Sequence, residues 1–443
     1  MSHARARGQL IALVAFWWIL TVPVPAQGPP AAASQDIVTI DLRNALERAR
    51  ENSPQLQSAS LGVDLAREDR SQARASFLPS LSSSNQYIYT QGNGTPSGIF
   101  VANDGVHVYS SQAVVHQELY SPGRLAEYRR TVAAQALAQA RRDIVARGLT
   151  STVIQDYYAA VVAQRRHANS LQAVNDARHL VGITEALAAG GEVAHSDVVK
   201  ARLVLQQSQR ESDEARLSVD KARVALAVLL FPDYRDDFKL VDDLDSASPL
   251  PAFDDLQAPV RETSPEIQAA EQSLRQEQSG VAIARSAYLP SLSFDYFFGI
   301  NANQFATHDP EGNNLLGSVA QASLTIPVWN WSATKSRIRQ ADLRRMQAQL
   351  DLVLTRRQVM ANLRSSYLEA QSALAQLDSL RSSLELSRES LRLTDLRYQA
   401  GEVTVLEMTD AHTTLVQARN AYDDGLARFR LAFANIQMMI GNY

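Results

Sequence analysis

Two carboxylates, Glu407 and Asp410, stand three residues apart in a stretch that reads as helix, so both lie on one helix face. They follow the triplet Gly401-Glu402-Val403, and the same triplet occurs at Gly191-Glu192-Val193, followed by Asp197. Crowded carboxylates repel one another, hold protons more tightly and attract cations. Little other chemistry is on offer. No glycine-rich phosphate loop follows a strand, there is no G-x-S-x-G and no H-E-x-x-H, and the chain has no cysteine. The eight histidines are scattered, and His195, two residues before Asp197, is the nearest approach to a ligand pair. No enzyme activity, cofactor or bound metal is therefore expected. A net charge of −4 without a basic stripe argues against a nucleic-acid partner.

The triplets interrupt two long proline-free runs rich in Ala, Leu, Gln and Arg, roughly 124–189 with 195–230 and 333–399 with 403–438. A helix of roughly 65 residues is about 100 Å long, more than the diameter of an ordinary globular core. Gly190-Gly191 and Gly401 read as the ends of descending helices, because glycine takes the left-handed capping conformation cheaply. Ser196 or Thr404 then lies where it could cap the returning helix. Leu363, Ala370, Leu377, Leu384, Leu391 and Tyr398 recur every seven residues, with small companions such as Ala373 and Ser387. That is the pattern of helices that supercoil against partners.

The chain is also written twice. "ENSPQLQSA" (51–59) matches "ETSPEIQAA" (262–270), and "ARASFLPSLS" (73–82) matches "ARSAYLPSLS" (284–293), each 211 residues on. Pro54 and Pro265 each open a helix, where proline is tolerated. A short helix precedes each, about 42–52 and 253–263, the second interrupted by Pro259.

Between the helices lie segments of period two. In "SLSFDYFFGIN" (291–301), Leu292, Phe294, Tyr296, Phe298 and Ile300 share one face, opposite Ser291, Ser293, Asp295, Gly299 and Asn301, with Phe297 the exception. "QASLTIPV" (321–328) alternates likewise, and 81–90 and 106–119 do so more weakly. Each has about the ten residues that a tilted transmembrane strand needs. Tyr120, Trp329 and Trp331 follow the returning strands, where an aromatic belt would meet the membrane interface. Four strands cannot close a barrel, and lipid does not tolerate an open edge. Two copies would give eight strands with a filled interior, and three give twelve with room for a lumen, so a homotrimer is expected.

The N-terminus reads as an export signal: Arg5 and Arg7 precede the 13-residue apolar run "LIALVAFWWILTV" (10–22), and small residues place cleavage after Ala26. Gln27 follows, so no lipid-carrying N-terminal cysteine is expected. The organisation expected is a signal peptide over 1–26, a flexible segment over 27–35 and a first repeat over 36–231 with its hairpin near 80–120. A connector with a short helix follows over 232–262, then a second repeat over 263–443 with its hairpin near 291–329. The fold class is mixed α and transmembrane β.

The order of short helices, "LPSL" hairpins, long helix pairs and Gly-x-Val turns, occurring twice, resembles the TolC-like outer-membrane efflux proteins over about 36–443. The resemblance implies a trimeric twelve-stranded barrel in outer-membrane lipid above a periplasmic α-barrel. Such a duct is the exit of a tripartite efflux or type I secretion system, with a periplasmic adaptor (membrane fusion) protein and an inner-membrane pump as partners. It further implies that Gly191, Glu192, Val193, Gly401, Glu402 and Val403 form the turns that dock the adaptor. Glu407 and Asp410 stand where the family forms a carboxylate ring at the periplasmic aperture, Tyr398 where a tyrosine helps hold it shut, and Asp197 where an aspartate partner lies. One departure is Val403, which occupies the place of an arginine that links tyrosine and aspartate across helices. The competing reading is a soluble periplasmic coiled-coil scaffold or adaptor. It requires the apolar faces at 292–300 and 322–328 to be covered by protein.

Overall fold

Serine and proline start the helices of the upper half. Ser53 and Ser264 are N-caps whose hydroxyls accept from Leu56 N and Ile267 N, and Pro54 and Pro265 occupy the first helical turn, where no backbone N–H is missed. The chain is seen in a computed structural model that describes residues 38–90, 106–233, 237–246 and 249–442. The export signal, its cleavage site, the segment 27–35 and the loop 91–105 lie outside the described residues. By contacts the chain divides into Met1–Val38 and Thr39–Tyr443, and the described helices and the large sheet belong to the second unit.

In order the elements are β1 (Val38–Ile40), α1 (Leu42–Asn52), α2 (Pro54–Ala75), β2 (Ser80–Thr90), β3 (Val106–Tyr120), α3 (Pro122–Ala189) and α4 (His195–Leu230). Then come β4 (Phe238–Leu240), α5 (Phe253–Thr263), α6 (Pro265–Ser286), β5 (Ser291–Ala302), β6 (Leu316–Thr325), α7 (Ala333–Gln399) and α8 (Val405–Ile440). The second set repeats the first. α3 and α7 are 68 and 67 residues long and α4 and α8 only 36 each, so the returning helices climb about half-way. The other half is covered by α2 and α6. None of the described helices is long and apolar enough to cross a membrane.

The strands form one antiparallel sheet in the order β2-β3-β5-β6. Next to the sheet, α2 packs on α3, α3 on α6 and α6 on α7; towards the turns, α4 packs on α3, α3 on α8 and α8 on α7. Sheet and helices thus share one order from edge to edge. The unit Thr39–Tyr443 is a strip of four staves, with β2, α2 and α4 along one border and β6 and α7 along the other.

Register places Ser80, His116, Asp295 and Gln321 abreast on one face, and Ser82, Val114, Phe297 and Val319 two residues farther on. Phe297 therefore breaks the polar pattern in company, as part of a short apolar band with two valines. The opposite face carries Tyr296 and Phe298, 38% and 52% exposed, so the aromatic row is not packed on the helices of its own chain. The last strand runs from Leu316 to Thr325 rather than over 321–328. Pro327 has no N–H to give a ladder and restrains Ile326 before it, so pairing stops early.

Gly299 lies opposite Gln112 in the β3–β5 ladder, with φ +155°, and a Cβ there would collide with the Ser111 carbonyl oxygen and come within 2.8 Å of Gln112 Cα. This is the seam between the two repeats within the sheet. Gly299→Val is expected to abolish the assembled, detergent-stable particle while helix content by far-UV circular dichroism is kept. Normal particle mass in this variant would show that the seam tolerates displacement.

At mid-height, α1 and the connector close a core against α3, α4 and α8 around Tyr157, Leu226, Leu230, Phe238 and Leu244, all buried. Ile40 and Val241 join by a backbone hydrogen bond of 3.0 Å. α5 forms in spite of Pro259, because Leu256 and Val260 bury against α7 and α8.

Candidate functional site at the turns of the long helices

Both descending helices end in the same way. Gly191 and Gly401 have φ +79° and +73°. Glu192 N donates to Leu187 O (2.9 Å) and Gly191 N to Ala188 O (3.0 Å); Glu402 N donates to Arg397 O (2.9 Å) and Gly401 N to Tyr398 O (3.0 Å). This paired bonding satisfies the last carbonyls and requires a left-handed residue, hence glycine at both positions. The reversals are tight, with α4 starting at His195 and α8 at Val405. Thr404 caps α8 by accepting from Glu407 N (3.4 Å). Ser196 does not cap α4: the N-cap is Ala194, without a side-chain bond, and Ser196 already lies inside the helix. The reason is one of register, since the first helical residue is His195 and a hydroxyl after it is past the cap.

Above the turns, Leu180, Ala201, Tyr398, Val403, Val405 and Met408 pack into one cluster drawn from all four helices. Tyr398 is 1% exposed. Thr184 Oγ1, fully buried, donates to Leu180 O (2.8 Å), so the 2.8 Å contact with Tyr398 is one in which the phenol donates. α3 and α7 are thereby tied within one chain, across 214 residues. Val403 is buried in this cluster, so the site that could have held an arginine is filled by an apolar side chain.

The charges lie outside the cluster. Glu192, Glu402, Glu407 and Asp410 are exposed and Asp197 is half-buried. Asp197 pairs with Lys200 at 3.4 Å, and Arg397 pairs with Glu402 at 3.4 Å across the turn. Glu407 touches the Thr404 hydroxyl (3.4 Å) at the start of α8, where a helix N-terminus favours an anion. Among the described residues Asp410 has no hydrogen bond or ion pair. Val193 is half-buried in its turn. The structure therefore brings together Tyr398 and Val403, keeps the carboxylates outside that cluster, and pairs Asp197 and Glu402 with neighbouring cations. Three further residues join the site. Thr184 and Met408 belong to the buried cluster, and His412 lies one turn beyond Met408 on α8. Burial pushes the His412 imidazole below the ordinary histidine range, with Asp176 and Asp395 pulling the other way, so it stays neutral at neutral pH. None of these three carried a sequence signal, whereas Tyr398 did, by its place in the seven-residue repeat. His195 is an exposed first residue of α4, and no cluster of metal-ligating side chains occurs among the described residues.

At the other end of the long helices, Tyr120, Trp329 and Trp331 are 50%, 73% and 86% exposed. The two tryptophans meet edge to face at 5.8 Å, just past the end of β6.

The family described as Outer membrane efflux protein matches residues 45–230 and 259–442, one stretch for each repeat. Among curated relatives, the pyoverdine export outer membrane protein OpmQ of Pseudomonas aeruginosa is 23% identical over 415 residues, covering 91% of this chain and 84% of OpmQ. The cobalt-zinc-cadmium resistance protein CzcC of Cupriavidus metallidurans is 26% identical over 319 residues, 71% of this chain and 72% of CzcC. Among solved structures, the outer membrane protein VceC of Vibrio cholerae superposes with a TM-score of 0.79 at 16% identity, over 90% of this chain and 96% of VceC. Paired helical turns, a shared order of staves and a doubled family match lead to one conclusion: the chain belongs to the outer membrane efflux protein family.

Proposed function

We propose that three copies of this chain close into a duct, a twelve-stranded barrel in the outer membrane continued inward by a tunnel of twelve long helical staves. The single observation that carries this is the pair of open borders. β2 and β6 each leave a full-length row of backbone groups unpaired at the edge of the sheet, which lipid does not tolerate. Beside them, Leu61 and Leu65 on α2 are 64% and 69% exposed, and Leu350 and Leu354 on α7 are 70% and 63% exposed. Border meeting border satisfies both.

In this reading the segment 1–26 exports the chain and is removed. Tyr120, Trp329 and Trp331 sit at the membrane interface, and the Gly-Glu-Val turns lie at the inner end. There Gly191, Glu192, Val193, Gly401, Glu402 and Val403 dock a periplasmic adaptor, which connects the duct to an inner-membrane pump. The duct performs no chemistry and conducts passively. OpmQ is named for pyoverdine export and CzcC for metal resistance, so one fold serves unlike cargoes, and the pump chooses among them. At the inner end Tyr398 helps keep the aperture narrow, and three copies of Asp197, Glu407 and Asp410 line it with carboxylates.

Planar-bilayer recording tests this. The purified particle is expected to conduct, and to be blocked from the turn side by di- and trivalent cations, because Glu407 and Asp410, which have no ion-pair partner among the described residues, repeat three times around the aperture and bind them. Glu407→Gln with Asp410→Asn is expected to weaken that block at least about tenfold, a loss of about 1.4 kcal/mol in binding. An unchanged block would remove these residues from the aperture, and a particle that never conducts would overturn the duct.

A further inference from the structure

The four strands of the large sheet contain no lysine or arginine, and their acids are Glu118 and Asp295. Both lie on the face opposite Leu292, Phe294, Tyr296 and Phe298. Glu118 is neutralised by a permanent cation, Arg124 at the start of α3, 2.6 Å away. Asp295 is treated differently. Its carboxylate meets His116 Nδ1 at 2.6 Å, across the β3–β5 seam, with side-chain exposures of 21% and 41%. The neighbours abreast of the pair are Ser80 on β2 and Gln321 on β6, neither of which titrates. Along β3 and β5 the same face continues with Glu118, already paired, and with Ser293, Val114 and Phe297. Asp295 is thus the one acid of the sheet whose counter-charge comes and goes with pH.

We infer that His116 and Asp295 set the ion preference of the barrel and make it depend on pH. The inference rests on the duct reading, in which the polar face of the sheet lines the lumen. Histidine is the side chain that changes charge between about pH 5 and 8. With His116 neutral, each chain contributes one negative charge at this level of the barrel, and small inorganic cations are favoured over anions. With His116 protonated, the pair is neutral and the preference falls. No fixed positive charge on the strands opposes the change. The next level, Ser82, Val114, Phe297 and Val319, offers no charged or titratable side chain.

The test measures reversal potential in a KCl gradient, with the dilute bath near 0.1 M or below, where charges act over about 10 Å. Only the barrel-side bath is acidified, from about pH 8.5 to about 5.5, to bracket the histidine range. The aperture carboxylates are removed throughout by Asp197→Asn, Glu407→Gln and Asp410→Asn. Under these conditions the particle with His116 and Asp295 intact is expected to be cation-selective at the higher pH and to move towards zero reversal potential at the lower. His116→Asn and His116→Gln should remain cation-selective at both pH values, whereas Asp295→Asn should lack the cation preference at the higher pH and turn towards anions at the lower, because His116 still gains its proton. Particle mass checks that each variant is assembled, and the two His116 variants guard against a failure particular to one. A pH shift that survives in the two His116 variants, a cation preference kept by Asp295→Asn at the higher pH, or no shift with both residues intact, overturns the inference while the duct stands. Absence of any conductance in the unsubstituted protein overturns the duct and the inference with it.

Discussion

Arg165→Ala is expected to cost about 2–4 kcal/mol of stability, somewhat under the cost of breaking a fully buried ion pair because the guanidinium keeps some exposure. Its side chain is 19% exposed and is held by three carboxylates, Asp242, Asp245 at 2.7 Å and Asp423 at 3.0 Å. Burial opposes the charged guanidinium, but the hydrogen bonds it donates to Asp242, Asp245 and Asp423 outweigh it and hold its pKa above the ordinary range. Removing the cation leaves three acids facing one another, one of them, Asp423, itself buried.

The consequence is structural, because Asp242 and Asp245 belong to the connector and Asp423 to α8. Arg165 on α3 therefore fastens the strap between the repeats to both of them. The same strap is held by Tyr157, whose hydroxyl donates to Val241 O at 2.6 Å, and by Arg430, which donates to Asp243 O. Thermal unfolding in mild detergent checks the loss, and limited proteolysis should show the connector cut first. Arg165→Lys should recover only part of the stability, since an ammonium cannot serve three carboxylates in a planar fork. An unchanged midpoint in Arg165→Ala would mean that apolar packing alone holds the strap.

The second large effect is expected at Tyr398. Tyr398→Ala removes a side chain that is almost wholly buried and should cost about 3–5 kcal/mol at the turns. Tyr398→Phe keeps the ring and loses the hydrogen bond to Thr184, a cost of about 1 kcal/mol. In the duct, loosening α3 from α7 should widen the inner end. Single-channel conductance is expected to rise strongly for Tyr398→Ala and slightly for Tyr398→Phe and Thr184→Val. Equal conductance in all of them would show that the tie is packing with no part in the aperture.

Local signals were the legible ones. Proline after serine marks the start of α2 and α6, glycine with positive φ marks Gly191 and Gly401, and alternation marks the strands. Each is decided by a few neighbouring residues. What sequence could not supply was contact between distant segments. Thr184 reads as one more small helical residue until it is seen against Tyr398, and Asp242 and Asp245 read as composition until Arg165 reaches them. Val403 reads as a missing arginine, and the structure shows an apolar side chain completing a core. Pro259 argues against a helix that tertiary packing nevertheless forms. Pro327 does the reverse, ending a strand that alternation alone would have carried on.

A duct shared between copies is tested most directly by fractionation with mass measurement. Inner and outer membranes are separated, the outer fraction is extracted in mild detergent, and particle mass is measured before and after heating. The expected result is an embedded particle of three chains that heating dissociates to single chains of 48.7 kDa or slightly less after removal of the export segment. Soluble single chains in the periplasm would contradict the duct, and would leave the Gly-Glu-Val turns as ordinary ends of helical hairpins.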